Sequence, residues 1–168
     1  MKRYALLTVL LAGTCAATAA ESATPASLLD ARLDQRILDQ LAAPITSRAA
    51  LDSYLRQIPP GSPLMALSQR ARTQFLDSLV FTDRGLASYG YLPLQQIDLA
   101  DAYRILALFG VQRSLAVAPG MHAASAQGKL LEAALSPDPV MVDYPGYACV
   151  SKATCSSTYS SICIGGNC

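Results

Sequence analysis

Apolar residues recur at helical spacing from Ala26 to Gly110, and the interruptions between them fall on proline, glycine and capping residues. Leu29, Leu33, Ile37 and Leu41 form an i, i+4 ladder beside Asp30, Arg32, Asp34 and Arg36, which predicts an amphipathic helix ending near Ala43, ahead of Pro44. A second helix is expected to open with Thr46 or Ser47 as its cap, to bury Leu51, Leu55 and Ile58, and to stop at Pro59-Pro60-Gly61. Ser62-Pro63 then restarts the chain with a cap followed by proline at the first helical position, and Leu67, Ala71, Phe75 and Leu79 form the buried stripe of a third helix. A fourth opens at Asp98, buries Leu99, Tyr103, Leu106 and Phe109, and closes on Gly110. Stripes of this kind do not stay apart in water, so the helices are expected to pack as a bundle.

The pattern changes between the third and fourth helices. Thr82-Asp83-Arg84-Gly85 reads as a turn, and Leu86 to Leu94 as an extended segment or short strand. In an extended segment Tyr89 and Tyr91 share a face. That face is either a recognition surface or a pair of rings covering one edge of the bundle with their hydroxyls in water, and the second reading is favoured. Beyond Gly110, Val111 to Val117 is compatible with strand or helix, Ala118-Pro119-Gly120 is a turn, and Ala126 to Leu135 forms a fifth helix despite Gly128. Pro137, Pro139, Pro145 and Gly146 then break regular structure. The expected fold is mainly α: a small helical bundle of four to five helices with a short extended segment and a disulfide-stapled C-terminal tail. Its divisions are a signal peptide over 1–20, a helical domain over 21–135, a Pro-rich linker over 136–147 and a Cys-rich tail over 148–168.

The compartment is read from the first residues. Lys2 and Arg3 precede an apolar run from Tyr4 to Gly13, and Ala17-Thr18-Ala19 is a small-x-small pattern before Glu21, so a secretory signal peptide cleaved near Ala19 or Ala20 is expected. The run is shorter than the roughly 20 residues a spanning helix needs, and no transmembrane segment is expected elsewhere. Lipid anchoring at Cys15 fits poorly, because Thr14 stands where a small Gly, Ala or Ser is normal. The destination is the periplasm or the medium.

Export changes the reading of Cys149, Cys155, Cys163 and Cys168. In an oxidising compartment an even set of thiols closes into disulfides, here two bridges with three pairings open. The segment is otherwise rich in Ser and Thr, and only Val150, Tyr159, Ile162 and Ile164 offer apolar surface, so cross-links are expected to supply its order. Zinc is not expected: the gaps of five, seven and four residues lack the paired C-x2-C spacing, and the only histidine, His122, is distant. A thioredoxin-type C-x-x-C is absent. Ser and Thr interleaved with Cys also resemble, in composition only, a lanthionine-forming precursor, against which the secretory leader and the domain before the tail both speak.

Charge narrows the partners. Of 13 Lys and Arg, Lys2 and Arg3 leave with the leader, so 11 remain against 12 acidic residues. No basic footprint for nucleic acid exists. The catalytic search is equally thin: no G-x-S-x-G elbow, Walker A loop, dinucleotide fingerprint or H-E-x-x-H occurs. His122 lies in an expected loop, with Ser125 or Asp143 as partners only by availability. Asp30, Asp34 and Asp39 lie beside arginines on polar helix faces and read as solvated pairs rather than as a carboxylate couple. No catalytic residues, metal or cofactor are assigned.

The function expected is therefore an exported, disulfide-stabilised, non-enzymatic binding or accessory protein of the bacterial envelope or medium. Its partner would be another envelope or extracellular protein, met through a surface drawn from Tyr89, Tyr91, His122 and Tyr159. A first alternative is a precursor whose Cys-rich tail is released as a small cystine-rich peptide; a second is a hydrolase using the lone His122.

Overall fold

The computed structural model describes residues 25–135 and 142–168, with only the backbone of 25–29. The signal-peptide reading, Cys15 and residues 136–141 lie outside the described residues.

Local capping sets most of the helices. Helix α1 (Pro25–Ala42) ends two residues before Pro44, and α2 (Arg48–Arg56) opens where the Ser47 hydroxyl accepts from the Ala50 N–H at 3.2 Å. Ser62-Pro63 starts only a 3-10 turn, Pro63–Ala66, because Leu67 returns to extended backbone and Ser68 caps a new helix, α3 (Gln69–Asp77). The expected stripe survives this break: Leu67, Ala71, Phe75 and Leu79 are all buried. Helix α4 (Leu99–Ala107) is capped by Asp98 and is followed by Gly110 at φ +70°. A 3-10 segment, Gln112–Val117, leads on to α5 (Ala126–Ala134), which is capped by Ser125.

Four strands form one antiparallel sheet: β1 (Val80–Thr82), β2 (Gly85–Gly90), β3 (Asp143–Ser151) and β4 (Thr154–Ile164), in the order β1-β2-β4-β3. The fold is thus mixed α/β, not the mainly α bundle expected, and the carboxy-terminal segment is no appended tail. Strand β4 lies between β2 and β3, with Ser88, Tyr89 and Gly90 opposite Cys163, Ile162 and Ser161. Residues 143–147, read as linker, belong to β3. The physical reason is alternation along a strand. Ile162 and Ile164 point into the main core while Cys163 between them faces the other side, so two isoleucines join a mostly hydroxylated strand to the body.

That core gathers Leu51, Leu64, Phe75, Leu86, Tyr89, Leu94, Ile105, Leu106 and Phe109 with Ile162 and Ile164. Phe75 stands edge-on to both Tyr89 and Phe109, at 6.3 and 6.0 Å between centroids. Leu86 and Tyr89 are three apart, yet both reach the core, because the β1–β2 pairing skips Ala87 between Phe81↔Leu86 and Val80↔Ser88. The extra residue resets the alternation.

Helix α1 departs from the expectation in a second way. Leu33, Ile37 and Leu41, read as its buried ladder, are 43%, 54% and 79% exposed. The helix docks by its polar side instead: Arg36 pairs with Asp143 at 2.8 Å, Asp39 accepts from Arg113 at 2.7 Å, and Gln40 donates to Asn167 at 2.6 Å. Asp143 and Asn167 are both 2% exposed. A carboxylate that deeply placed needs a charged partner, which an apolar helix face cannot supply. Ile58, expected inside, is also at the surface, and Leu55 is half-buried.

Candidate binding surface

The two disulfides, Cys149–Cys168 and Cys155–Cys163, show what the end of the chain does. Cys155 and Cys163 belong to the same strand, eight residues apart, and their Cα atoms are 6.1 Å from each other. A straight strand would separate them by about 26 Å at ~3.3 Å per residue. Strand β4 therefore turns back on itself.

The corner is visible in the register. Pro145 pairs with Ile162 but Tyr147 pairs with Ser157, so Gly146 alone faces Thr158 to Ser161. Gly146 takes φ +82°, and Ser160, on the opposite strand, takes φ +61°, a left-handed value uncommon outside glycine. Beyond the corner, the distal hairpin folds back over the sheet face away from the main core. There Cys149, Cys163 and Cys168 are buried with Ala87, and Cys155 packs against them as the least buried of the four. The Cys149–Cys168 bridge, with Cα atoms 5.7 Å apart, ties the distal part of β3 to the last residue.

This corner carries the exposed tyrosines of the described residues. Tyr144 and Tyr147 flank Pro145-Gly146, with rings edge to face at 6.5 Å and exposures of 37% and 42%. Tyr159 stands in the looped-out part of β4, opposite Gly146, and is 87% exposed. Exposed hydroxyls of Ser156, Ser157 and Thr158 lie along the same strand. From Tyr144 to Cys168 the only charged side chain is that of Lys152, at the hairpin tip. The surface can offer aromatic area and neutral hydrogen-bonding groups on a frame held by covalent cross-links.

Of the four residues expected to form an interaction surface, only Tyr159 lies at this corner. Tyr89 is fully buried, its hydroxyl 2.7 Å from that of Ser114, which itself donates to the Val111 carbonyl at 2.6 Å. Burial pushes the Tyr89 phenol far above its ordinary range, because the phenolate would be desolvated. Tyr91 is half-buried and packs on the same core, its N–H donating to the Ser160 carbonyl. The two rings do share a side, but it is the inner one, so neither the outward recognition face nor wet hydroxyls at Tyr89 hold.

His122 is exposed, and its backbone carbonyl accepts from the Leu99 N–H at 2.7 Å. The partners named for a His-dependent site are engaged elsewhere. Ser125 donates from its hydroxyl to Asp98 and accepts there from the Gly128 N–H, while Asp143 is buried against Arg36. Asp98 is the organising group of this loop: it accepts from the Ser125, Ala100 and Ala124 N–H groups and from the Ser125 hydroxyl. These hydrogen bonds, the one from the Ser125 N–H foremost, lower its pKa from 3.8 to about 2. That is the signature of a structural cap rather than of an acid or base working near neutrality.

Among the described residues one group of side chains has the proximity of metal ligands: the sulfurs of Cys155, Cys163 and Cys168 lie within 4.8 Å of one another. All are engaged in disulfides, which leaves no thiolate to coordinate an ion. A cleft of about 300 Å³ also opens between α1 and the body, with Leu33, Ile37, Val111 and Ile164 in its walls. Its polar groups Arg36, Asp39, Gln40 and Arg113 are spent on docking the helix. No helix of the described residues is long and apolar enough to cross a membrane.

Comparison with known proteins adds no relative: no family model matches the chain, and neither a curated protein nor a solved structure shows significant similarity. Sequence reasoning missed Tyr144 and Tyr147. The signal was present in Tyr-Pro-Gly-Tyr, an aromatic pair around a turn dipeptide, but it reads equally as a linker.

Proposed function

We propose that this is an exported, disulfide-stabilised, non-enzymatic binding protein of the bacterial envelope or medium, and that the corner formed by Tyr144, Tyr147 and Tyr159 is its contact surface for another envelope or extracellular protein. The observation that carries the reading is the grouping of three exposed tyrosines and a row of serine and threonine hydroxyls at one cross-linked bend. Tyrosine contributes large amphipathic area at little conformational cost, and serine and glycine contribute adaptable hydrogen bonds, the chemistry of antibody paratopes. A frame already rigid loses less freedom on binding. The near absence of charge fits a partner held by ring contacts and neutral hydrogen bonds rather than one steered by a strong field.

Release of the tail as a free peptide fits less well, because removing β4 would strip Ile162 and Ile164 from the core. The test is photo-crosslinking from position 159 in the exporting cell, with position 52 on α2, also exposed, as the comparison. One discrete adduct from 159, absent from 52 and lost in a Tyr144→Ala/Tyr147→Ala variant that melts like the parent, is the expected result. Equal labelling from both positions, or an adduct indifferent to both tyrosines, would remove the corner from consideration.

A further inference from the structure

The four cysteines are arranged so that a second pairing is within reach, and the two pairings differ in what they hold together. In the present one, Cys149–Cys168 and Cys155–Cys163 both cross the corner, each tying a residue of the distal hairpin to one beyond it. Cys149 and Cys155, however, are direct cross-strand partners in the β3–β4 register. Such partners in antiparallel strands lie about 4.5 to 5.5 Å apart at Cα, inside the range of about 4.4 to 6.8 Å that a disulfide spans. The Cys163 and Cys168 sulfurs, for their part, are already within 4.8 Å.

We infer that this cluster is a thiol-exchange site, at which a low-molecular-weight thiol acting as catalyst converts the pairing Cys149–Cys168 with Cys155–Cys163 into Cys149–Cys155 with Cys163–Cys168. The steps balance without net oxidation or reduction. The thiolate attacks the Sγ of Cys155, the least buried of the four, forming a mixed disulfide there and releasing the Cys163 thiolate. That thiolate attacks the neighbouring Sγ of Cys168, closing Cys163–Cys168 and releasing the Cys149 thiolate. Cys149 then attacks the Sγ of Cys155 across the strand pair, closing Cys149–Cys155 and expelling the catalyst as thiolate. One thiolate enters and one leaves.

The consequence is mechanical. Both new bridges are local, one inside the distal hairpin and one at the carboxy-terminal end, so nothing covalent holds the fold-back. Ile162 and Ile164 remain in the main core, and the body is unaffected. This inference stands apart from the binding reading, because it concerns the pairing of sulfurs and not what the corner contacts.

The experiment takes the oxidised full-length protein, adds reduced glutathione at a tenth of its molar concentration, blocks thiols by alkylation at intervals, and cleaves without reduction after Lys152 and Tyr159, both exposed. These cuts place Cys149, Cys155 and the pair Cys163 and Cys168 on three peptides. The present pairing links all three peptides in one species. The rearranged pairing frees residues 160–168 as a separate peptide with its own closed bridge. The expected result is growth of that peptide in proportion to glutathione, with total thiol never exceeding what was added. Persistence of the three-peptide species until cysteines appear alkylated would overturn the proposal. In the rearranged isomer, once isolated, deuterium uptake over 147–157 should rise at least tenfold, and unchanged uptake would refute release of the hairpin.

Discussion

Replacing Ile162 by alanine asks whether the carboxy-terminal strands and the helices are one cooperative unit. Ile162 is fully buried, directly opposite Tyr89 on β2, in the same core as Phe75 and Phe109. The substitution removes three buried carbons, worth about 2.4 kcal/mol at ~0.8 kcal/mol each. The cavity left beside the rigid Tyr89 ring adds to this, and the total should fall at about 3 to 4 kcal/mol, inside the range of roughly 2 to 5 found for such truncations. For a chain of this size that is a fall in Tm of about 6 to 16 °C. The assay is thermal unfolding followed at 222 nm, where the helices dominate, and in the near ultraviolet, where the tyrosines report. Both signals should move together. Val150→Ala, at a side chain 62% exposed on the distal hairpin, should change stability by less than about 0.5 kcal/mol. If Ile162→Ala leaves the helical transition where it was, the strands are an appendage and the single core described above is wrong.

Asp98 supplies a pH test. Its folded pKa of about 2 lies below the ordinary 3.8, so the unfolded chain takes up the proton first as pH falls. The stabilisation is present above pH 3.8 and is lost as pH falls through 2; Asp98→Asn should flatten that part of the profile, and an unchanged acid limb in urea titrations would refute the assignment. At Gly110 a Cβ would lie 2.7 Å from the Gln40 Cα and 2.8 Å from the Asp39 carbonyl oxygen, at a φ of +70°. Gly110→Ala should therefore push α1 from its polar seat, read as faster hydrogen exchange over 36–42, with a cost of at least about 1 kcal/mol from the backbone alone.

Helix positions were legible because their causes are local. Ser47, Asp98, Gly110 and Pro59-Pro60 act on the turns they occupy, and a stripe such as Leu67, Ala71, Phe75 and Leu79 needs no distant partner to declare itself. The disulfides were legible for a different reason, since four cysteines in a chain read as exported have few other fates. Their pairing was not. Spacing cannot report a fold-back that brings residues 155 and 163 together.

The candidate surface was the least legible part. Tyr89, Tyr91 and Tyr159 look alike in a one-dimensional pattern, yet one is sealed in the core, one is half-covered and one stands in water. What separates them is a skipped residue at Ala87 and a corner at Gly146, both features of strand pairing.

From its residues alone the chain determined the caps at Ser47 and Asp98, the inner stripe from Leu67 to Leu79 and the closure of its thiols, whereas the start read at Ser62-Pro63 gave only a 3-10 turn and α3 opens at Ser68. The tertiary structure alone decided that β4 lies between β2 and β3, that α1 docks through Arg36, Asp39 and Gln40 with Leu33, Ile37, Leu38 and Leu41 exposed, and that Tyr144, Tyr147 and Tyr159 fall at one bend of the β3–β4 pair. Those outcomes depend on hydrogen bonds and charges supplied by segments up to 127 residues away, and the local pattern carries no record of such partners.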